Sequence, residues 1–537
     1  MSRSVEQVGV WSFLAVLPLL RWAARAAMIL GLTLLSGFMR PAAAVPGDID
    51  PTFAPSTGGK IFARLAGAAG SSNGTLLAIQ PAFLSPGLLV GGECEDSTNG
   101  RRVCLARYLL SSPNGAAGLD VTAFGTSGVA SVLSGWFDVS VRSIVVQADL
   151  RIVIAGSCRS TGGNWMFCVT RLLSNGALDT SFGGTGVVTT DFATTTDDEI
   201  NAAALQPDGK LVVAGRCLYG APPSTDYGFC LARYLTDGSL DASFDGDGKV
   251  LTNINAGTGR RDEANQIHLL SDGQMLVSGT CNNGTTTQAC VVRYQANGVP
   301  DSAFGAGGVV NLTAAGSTGS SASALQPDGK LLLAVGCGTG FCALRMLADG
   351  SLDEEYGTAG LAAVTNVAGT RTVSRALLQA DGKLLLGGWC DNGTTSVDFC
   401  VGRLHDTGQV DIRFGNGGMS SVPFATGAWQ DYLHGMLIGR DGKLIVAGNC
   451  EDSAFASYEA CMTRLELGSL ASRNCTLDLN ADGRTDAMGD AIILARVLLG
   501  LTGAPVLAGT PNAIAPSGQW LTLRDRLFYQ CGLPVTP

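Results

Sequence analysis

Ala203-Ala204-Leu205-Gln206-Pro207-Asp208-Gly209-Lys210-Leu211-Val212-Val213-Ala214-Gly215 returns, little changed, at residues 322–336. Weaker copies begin near Ile144, Ile267, Ala376 and Met436. Asp-Gly between two apolar runs is a hairpin signal, because glycine supplies the positive φ that a two-residue turn demands. A period found this way takes precedence over any local reading, since a repeat fixes the architecture of the whole chain.

Each copy ends at a cysteine, and a second cysteine opens the next apolar run with the phrase Cys-x-x-Arg. The pairs are Cys94/Cys104, Cys158/Cys168, Cys217/Cys230, Cys281/Cys290, Cys337/Cys342, Cys390/Cys400 and Cys450/Cys461, and the remaining two of the 16 cysteines are Cys475 and Cys531. One cysteine closes a strand and the other begins the next, so a hairpin loop brings the two together. An even, regularly spaced set reads as a disulfide framework in an exported chain. Closing loops this short stabilises each unit by roughly 2–3 kcal/mol in the chain-entropy picture. Zinc is the rival. No pair shows Cys-x-x-Cys spacing, and 3 His cannot complete seven sites.

A second phrase recurs between the cysteine pairs: Leu178-Asp179-Thr180-Ser181-Phe182, Leu240-Asp241-Ala242-Ser243-Phe244 and Pro300-Asp301-Ser302-Ala303-Phe304, with looser copies at residues 120–124, 353–356 and 411–414. A glycine-rich turn and a β-branched run follow, so one unit supplies four strands. Units of four strands at a spacing of about 60 residues suit a propeller blade. After Cys461 the second phrase is missing, and its seventh copy stands near the other end, at Ile49-Asp50-Pro51-Thr52-Phe53, followed by Gly58-Gly59-Lys60-Ile61-Phe62. A unit split across the two ends is what closure by strand exchange requires, and closure removes the open sheet edge. The body therefore reads as a closed seven-bladed β-propeller over residues 45–470. Its phrases (Leu-Gln-Pro-Asp-Gly-Lys-Leu, Ala-Arg-Tyr and Leu-Asp-x-Ser-Phe-Gly) resemble the bacterial delta-60 repeat family, which carries no established activity to transfer; the cysteines depart from its usual pattern.

Every unit places an arginine three residues after its second cysteine: Arg107, Arg171, Arg233, Arg293, Arg345, Arg403 and Arg464. In five units an aspartate follows eight residues later, at Asp179, Asp241, Asp301, Asp353 and Asp411; Asp120 comes later, and Asp50 would partner Arg464 across the closure. These charges are either a ring of binding groups or ion pairs that cap turns. Repetition in all seven units favours the structural role, because one binding site needs only some of them.

The net charge is −10, with 73 Gly among 537 residues and 15% charged residues. An acidic body without a lysine or arginine cluster argues against nucleic acid and anionic membranes. Residues 1–44 read as a signal peptide: Arg21 and Arg25 precede the apolar run from Ala26 to Phe38, and Ala42-Ala43-Ala44 supplies small residues for cleavage. The alternative is an uncleaved anchor, the one route by which this chain would meet a membrane. The expected location is outside the cytoplasm: extracellular, cell-surface or periplasmic.

From Cys475 the texture changes. Asp478-Leu479-Asn480-Ala481-Asp482-Gly483-Arg484-Thr485-Asp486 opens like an EF-hand calcium loop, and the apolar run from Ala491 to Leu501 follows as a helix. Asp478, Asn480 and Asp482 would ligate calcium directly, Arg484 through its carbonyl, and Asp486 directly or through water. Gly489 stands at the twelfth place, so Asp490 closes the site only in a longer loop. A plain Asp/Asn/Gly turn before a helix is the alternative. Residues 471–537 resemble a dockerin with a single loop, clasped by Cys475 and Cys531, and the absence of a second calcium loop leaves a cohesin-type partner without support. The expected fold class is thus mainly β, a seven-bladed propeller with a small α-helical calcium-loop module.

No catalytic set emerges. Gly70-Ser71-Ser72-Asn73-Gly74 fits Gly-x-Ser-x-Gly but lacks the strand-to-helix context of a nucleophile elbow. His268, His405 and His434 read as ordinary strand or turn residues, and Asp197-Asp198-Glu199 and Asp245/Asp247 as solvated loop carboxylates. Two functions remain: a binding or surface-structural protein for a protein or polysaccharide ligand, and a polysaccharide-active enzyme. An enzyme predicts unrepeated carboxylates, histidine or tyrosine gathered at one mouth of the ring.

Overall fold

The computed structural model describes residues 45–468 apart from 64, 66–70, 81–86, 97–99, 112–115, 133–137, 160–162, 193–196, 220–225, 255–260, 315, 339, 366–370, 392–396, 425–429, 440 and 453–456. Those residues form seven antiparallel sheets. Blades 1 to 6 occupy residues 71–132, 138–190, 198–252, 263–312, 320–364 and 371–422, and blade 7 combines residues 431–465 with the strand Lys60–Ala63. Blade 1 carries one added strand, Ala116–Leu119. The first strand of each blade faces the axis and touches its neighbours around a full circle, blade 7 against blade 1 included.

Closure is by strand exchange. Lys60–Ala63 runs antiparallel to Ser457–Leu465, with Phe62 opposite Cys461. In blade 3 Leu251, likewise the third residue of the outer strand, stands opposite Cys230. The borrowed strand thus takes the register that the other blades fill from their own sequence. Ile49 also bridges to Leu465.

Seven apolar clusters fill the seven interfaces, each drawing on two successive blades, and one of them joins blade 7 to blade 1. The Phe of the second phrase anchors them: Phe53, Phe244 and Phe414 are fully buried. Losing such a ring costs about 3–5 kcal/mol.

Seven disulfides form, one within each blade: Cys94–Cys104, Cys158–Cys168, Cys217–Cys230, Cys281–Cys290, Cys337–Cys342, Cys390–Cys400 and Cys450–Cys461. Their Cα–Cα separations of 5.8 to 6.1 Å are ordinary for a bridge. One detail of the expectation is corrected, because the second cysteine does not open its strand. Cys104, Cys230 and Cys461 stand fifth in Gly100–Ser111, Asp226–Tyr234 and Ser457–Leu465. Cys168 stands third in Met166–Leu172, Cys290 and Cys400 fourth in Thr287–Tyr294 and Val397–Leu404, and Cys342 second in Phe341–Met346. The ladder runs past the bridge toward the loop, since continued pairing satisfies the backbone groups there. Gly92 therefore faces Cys104 while Cys94 faces Arg102, and the two cysteines meet on a diagonal.

The described residues contain no α-helix; the one helical piece is a 3-10 turn, Pro55–Thr57. The fold class is accordingly corrected to a β-propeller alone. Among the described residues, short β-branched runs broken by glycine turns leave no stretch with helical periodicity, and the helical calcium-loop module is not supported. Residues 469–537 lie outside the described residues, with Asp478, Asn480, Asp482, Arg484, Asp486, Asp490, Cys475 and Cys531, as does the N-terminal segment 1–44. No helix among the described residues is long and apolar enough to cross a membrane.

In five blades the glycine of Gly-x-Cys is required by contact; blade 5 carries Val335 in its place. Six of the inner strands carry a bulge at one place, and a seventh irregularity lies in blade 1. In five blades the bulge presses a carbonyl against the glycine, so an added Cβ would lie 1.8 or 1.9 Å from the oxygen of Ser140, Glu199, Glu263, Thr372 or Tyr432. Backbone on both sides leaves nothing to yield. Gly215→Ala is expected to destabilise the protein by about 1–3 kcal/mol, read as a lower urea midpoint. Gly118→Ala, where a Cβ meets nothing within 4 Å, should stay within about 0.5 kcal/mol. Equal midpoints for the two variants would contradict the close-approach reading.

Candidate functional site

The repeated charges belong to the frame. Asp179, Asp241, Asp301, Asp353 and Asp50 accept a guanidinium Nε–H from Arg171, Arg233, Arg293, Arg345 and Arg464 at 2.7 or 2.8 Å; Arg107–Asp120 is bonded at 2.9 Å, and Arg403 forms an ion pair with Asp411 at 3.0 Å. The other carboxylate oxygen caps the turn, as in Ser243 N–H to Asp241 at 3.0 Å. All seven guanidiniums lie over the aromatic ring of the same phrase, at 4.5 to 5.1 Å. Several also donate to a carbonyl of the next blade, Arg107 to Ser174 and Arg403 to Leu467 among them. The arginine is therefore a latch between blades, a role that its own turn did not reveal.

Latches and Asp-Gly turns stand at one end of the strands, and the cysteines stand at the other. At that second mouth two places in each unit carry unlike residues. One is the residue before the first cysteine: Glu93, Ser157, Arg216, Thr280, Trp389 and Asn449 as the x of Gly-x-Cys, and Gly336 after Val335 in blade 5. The other is the bulged residue of the inner strand: Arg142, Asn201, Asn265, Ser321, Ser374 and His434 in blades 2 to 7. In blades 3 to 6 the bulged side chains bond the next inner strand in sequence. Asn201 donates to the Ala264 carbonyl (3.1 Å), Asn265 to Ser320 (2.9 Å), Ser321 to Val373 (2.7 Å) and Ser374 to Leu433 (2.7 Å). His434 and Arg142 break the series and line a cavity instead.

That cavity has a volume of about 420 Å³, and the groups with chemistry on its wall are Glu93, Arg142, Trp165, Glu199, Arg375 and His434, with Arg101, Ser140, Ser157 and Asn449 beside them. Its acids are engaged. Glu199 pairs with Arg216 at 2.8 Å, and Arg216 also reaches Glu263. Glu93 accepts the Val141 N–H at 3.1 Å and lies 3.7 Å from Arg101. The arginines are not: among the described residues neither Arg142 nor Arg375 forms an ion pair, and Arg375 donates to the Ser374 carbonyl at 2.8 Å. Trp389 stands edge-on to His434 at 5.8 Å and to Tyr432 at 5.4 Å, and Tyr458 lies 6.2 Å from Tyr432. A larger hollow of about 510 Å³ between blades 2 and 3 is lined by Gly183, Gly184 and Asp237, and it offers no comparable set of groups.

Burial, and after it the charge of Arg142, pushes the Arg375 guanidinium down to about 10. Burial, then Arg375 and Arg142, brings His434 down to about 4, so its imidazole is neutral above that pH. Burial raises Glu93 above the usual carboxylate range.

Several expected places shift. His434 is no ordinary strand residue, because it sits at the bulge and faces the cavity. His268 meets Ser323 at 2.7 Å, and His405 lies in a turn 3.7 Å from Asp411. Asp198 and Glu199 lie on the inner strand Asp198–Leu205 and not in a loop. Ser71 and Ser72 open the strand Ser71–Gln80, where no nucleophile elbow forms. No three His, Cys, Asp or Glu side chains among the described residues gather as a metal site.

Three stretches, residues 147–182, 206–244 and 270–304, match a family described as a domain of unknown function (DUF5122), β-propeller. No curated protein matches the chain. Solved structures similar to it include a protein of unknown function from Dyadobacter fermentans (12% identity, 76% of this chain and 99% of that one, TM-score 0.36). Others are the polysaccharide lyase Uly1 (12%, 74% and 90%, TM-score 0.40) and the gluconolactonase XC5397 from Xanthomonas campestris (12%, 72% and 97%, TM-score 0.30).

The carboxylates divide into two sets that fix the pH profile of stability. Burial opposes ionisation of the latch aspartates, but hydrogen bonds and the guanidinium overrule it. Asp50 falls from 3.8 to about 2 through Lys443, Thr52 and Arg464, and Asp120, Asp179, Asp241 and Asp411 are lowered likewise. Their stabilisation is complete above the unfolded value and is lost as pH falls through the folded one. At the other mouth burial raises Asp198 to about 7, helped by Asp191 and Asp197, and raises Asp431 to about 6, helped by Asp398. These groups favour the fold at low pH, and that contribution disappears as pH rises through about 6 to 7. That loss begins at the unfolded value, about pH 4, so thermal unfolding should be highest near about pH 4 and decline toward pH 7. Asp198→Asn should flatten the alkaline limb alone, and an unchanged limb would contradict the assignment.

Proposed function

We propose that this chain is an exported binding protein that holds a polysaccharide or protein ligand at the disulfide-bearing mouth of the propeller. One observation carries the reading. The bonding that repeats in blades 3 to 6 gives way, at one sector of the mouth, to unlike residues from blades 1, 2, 3, 6 and 7 around a single cavity. A frame has no use for such a break, whereas a site for one asymmetric ligand needs it. Seven disulfides support an oxidising compartment.

A polysaccharide-active enzyme is the second reading, favoured by Glu93, whose raised carboxyl beside Glu199 and His434 has the properties of a proton donor. Against it, both acids are already held by donors. Calorimetry of the full chain with pectin, alginate, xylan and cellulose, followed by an assay for new reducing ends or unsaturated products, separates the two. Binding without products is expected, with affinity lowered at least about tenfold by Trp389→Ala or His434→Ala. Accumulating products would replace the binding reading with the enzymatic one; binding indifferent to both substitutions would remove the cavity from either.

A further inference from the structure

We propose that the cavity recognises a carboxylate carried by a saccharide, held between Arg142 and Arg375 with the sugar against Trp389 and Tyr432. This rests on the binding reading above and gives it a ligand class.

A charge imbalance marks the site. Acidic groups outnumber basic ones in this protein, 45 to 35, and on the same mouth Arg216 pairs with Glu199 and Glu263, and Arg159 with Asp138 at 3.1 Å. Arg142 and Arg375 line one cavity and carry no ion pair among the described residues; burial, and after it the charge of Arg142, lowers Arg375. Arg142 is exposed and Arg375 half-buried, and an anion placed between two like charges relieves their repulsion. A guanidinium presents a planar fork of donors that fits a carboxylate. Of the nearby acids, Glu199 is held by Arg216, and Glu93, which accepts the Val141 N–H, is shared between Arg142 and Arg101.

The rest of the wall selects the molecule that bears the charge. Ser140, Ser157 and Asn449 offer hydroxyl and amide groups of the kind that meet sugar hydroxyls. Trp389, Tyr432 and Tyr458 form a half-buried aromatic strip across blades 6 and 7, beside His434. Such a strip presents flat apolar faces to the C–H side of a pyranose ring. An acidic peptide is the rival ligand, because the inner strands that border the cavity are the end strands of their sheets and pair on one side only, but it offers no ring to the aromatic strip.

The test titrates the full chain, at low ionic strength, with trigalacturonate, with maltotriose as the neutral trisaccharide, and with hexaglutamate as the acidic peptide. Trigalacturonate is expected to bind and to be displaced by added salt, and maltotriose to bind at least about tenfold more weakly. Arg142→Gln and Arg375→Gln should each weaken trigalacturonate about ten- to hundredfold, and Arg142→Lys should recover part of the loss. Unchanged thermal unfolding of Arg142→Gln excludes misfolding as the cause; if Arg375→Gln fails to fold, Arg142→Gln and its lysine counterpart decide the question. Equal binding of trigalacturonate and maltotriose, or indifference to the arginine variants, would overturn the carboxylate inference and leave the binding reading standing. Binding of hexaglutamate alone would overturn the saccharide class. No binding of any of the three would overturn the inference outright. Cleavage of trigalacturonate with arginine-dependent affinity would overturn the non-catalytic reading and keep the anion site.

Discussion

Everything at the mouth depends on the ring being shut. His434 and Asn449 belong to blade 7, whereas Leu76 and Glu93 belong to blade 1, and the two groups share one cavity because Lys60–Ala63 pairs with Ser457–Leu465. Arg464 reinforces that junction. It is 1% exposed, bonds Asp50 at 2.7 Å and lies over Phe53, so a latch made within one stretch of chain in blades 1 to 6 is here assembled from two distant ones. Lys443 adds a second cation on Asp50 at 2.8 Å. Removing one partner of so buried a pair costs about 3–5 kcal/mol, because the other charge is left without compensation.

The frame and the site are built from different positions of the same repeat. Glycine before x-Cys admits the bulge of the inner strand, the bulge points one side chain per blade toward the axis, and the disulfide pins the hairpin that carries x. The latch keeps its arginine and its aspartate in every blade. The two positions that face the mouth are free to differ, and it is there that Glu93, Arg142, Trp389 and His434 appear. Symmetry supplies rigidity, and its local failure supplies chemistry.

The ring, the four-strand unit and the strand exchange were legible in the sequence because each rests on contacts that recur, so seven imperfect copies report one pattern. The cysteine pairs were legible for the same reason, although the depth of Cys104 or Cys400 within its strand was not, since the ladder beyond the bridge runs through loops of unlike sequence. The site was less legible for the complementary reason. His434 looks like any strand residue until the bulge is known, since a two-residue period without a bulge would turn it elsewhere. Arg142 and Arg375 carry no motif, and they come together from blades 2 and 6 through a closure that no local pattern encodes. A signal did exist in the variable x of Gly-x-Cys, which marks Glu93, Ser157, Trp389 and Asn449 as the places where the repeat does not repeat. The helical module, by contrast, was inferred from a short loop motif and one apolar run outside any repeat, and the described fold is sheet.

Hydrogen exchange on the chain lacking residues 47–63 is the most direct test that closure by strand exchange holds both the ring and its site together. The account predicts that protection is lost first in Ser457–Leu465, then in Asp431–Ile438 and in Leu76 to Gln80 beside it, while blades 3 to 5 retain theirs. Unchanged protection of Ser457–Leu465 after that deletion would contradict the closed ring and, with it, the cavity that depends on it.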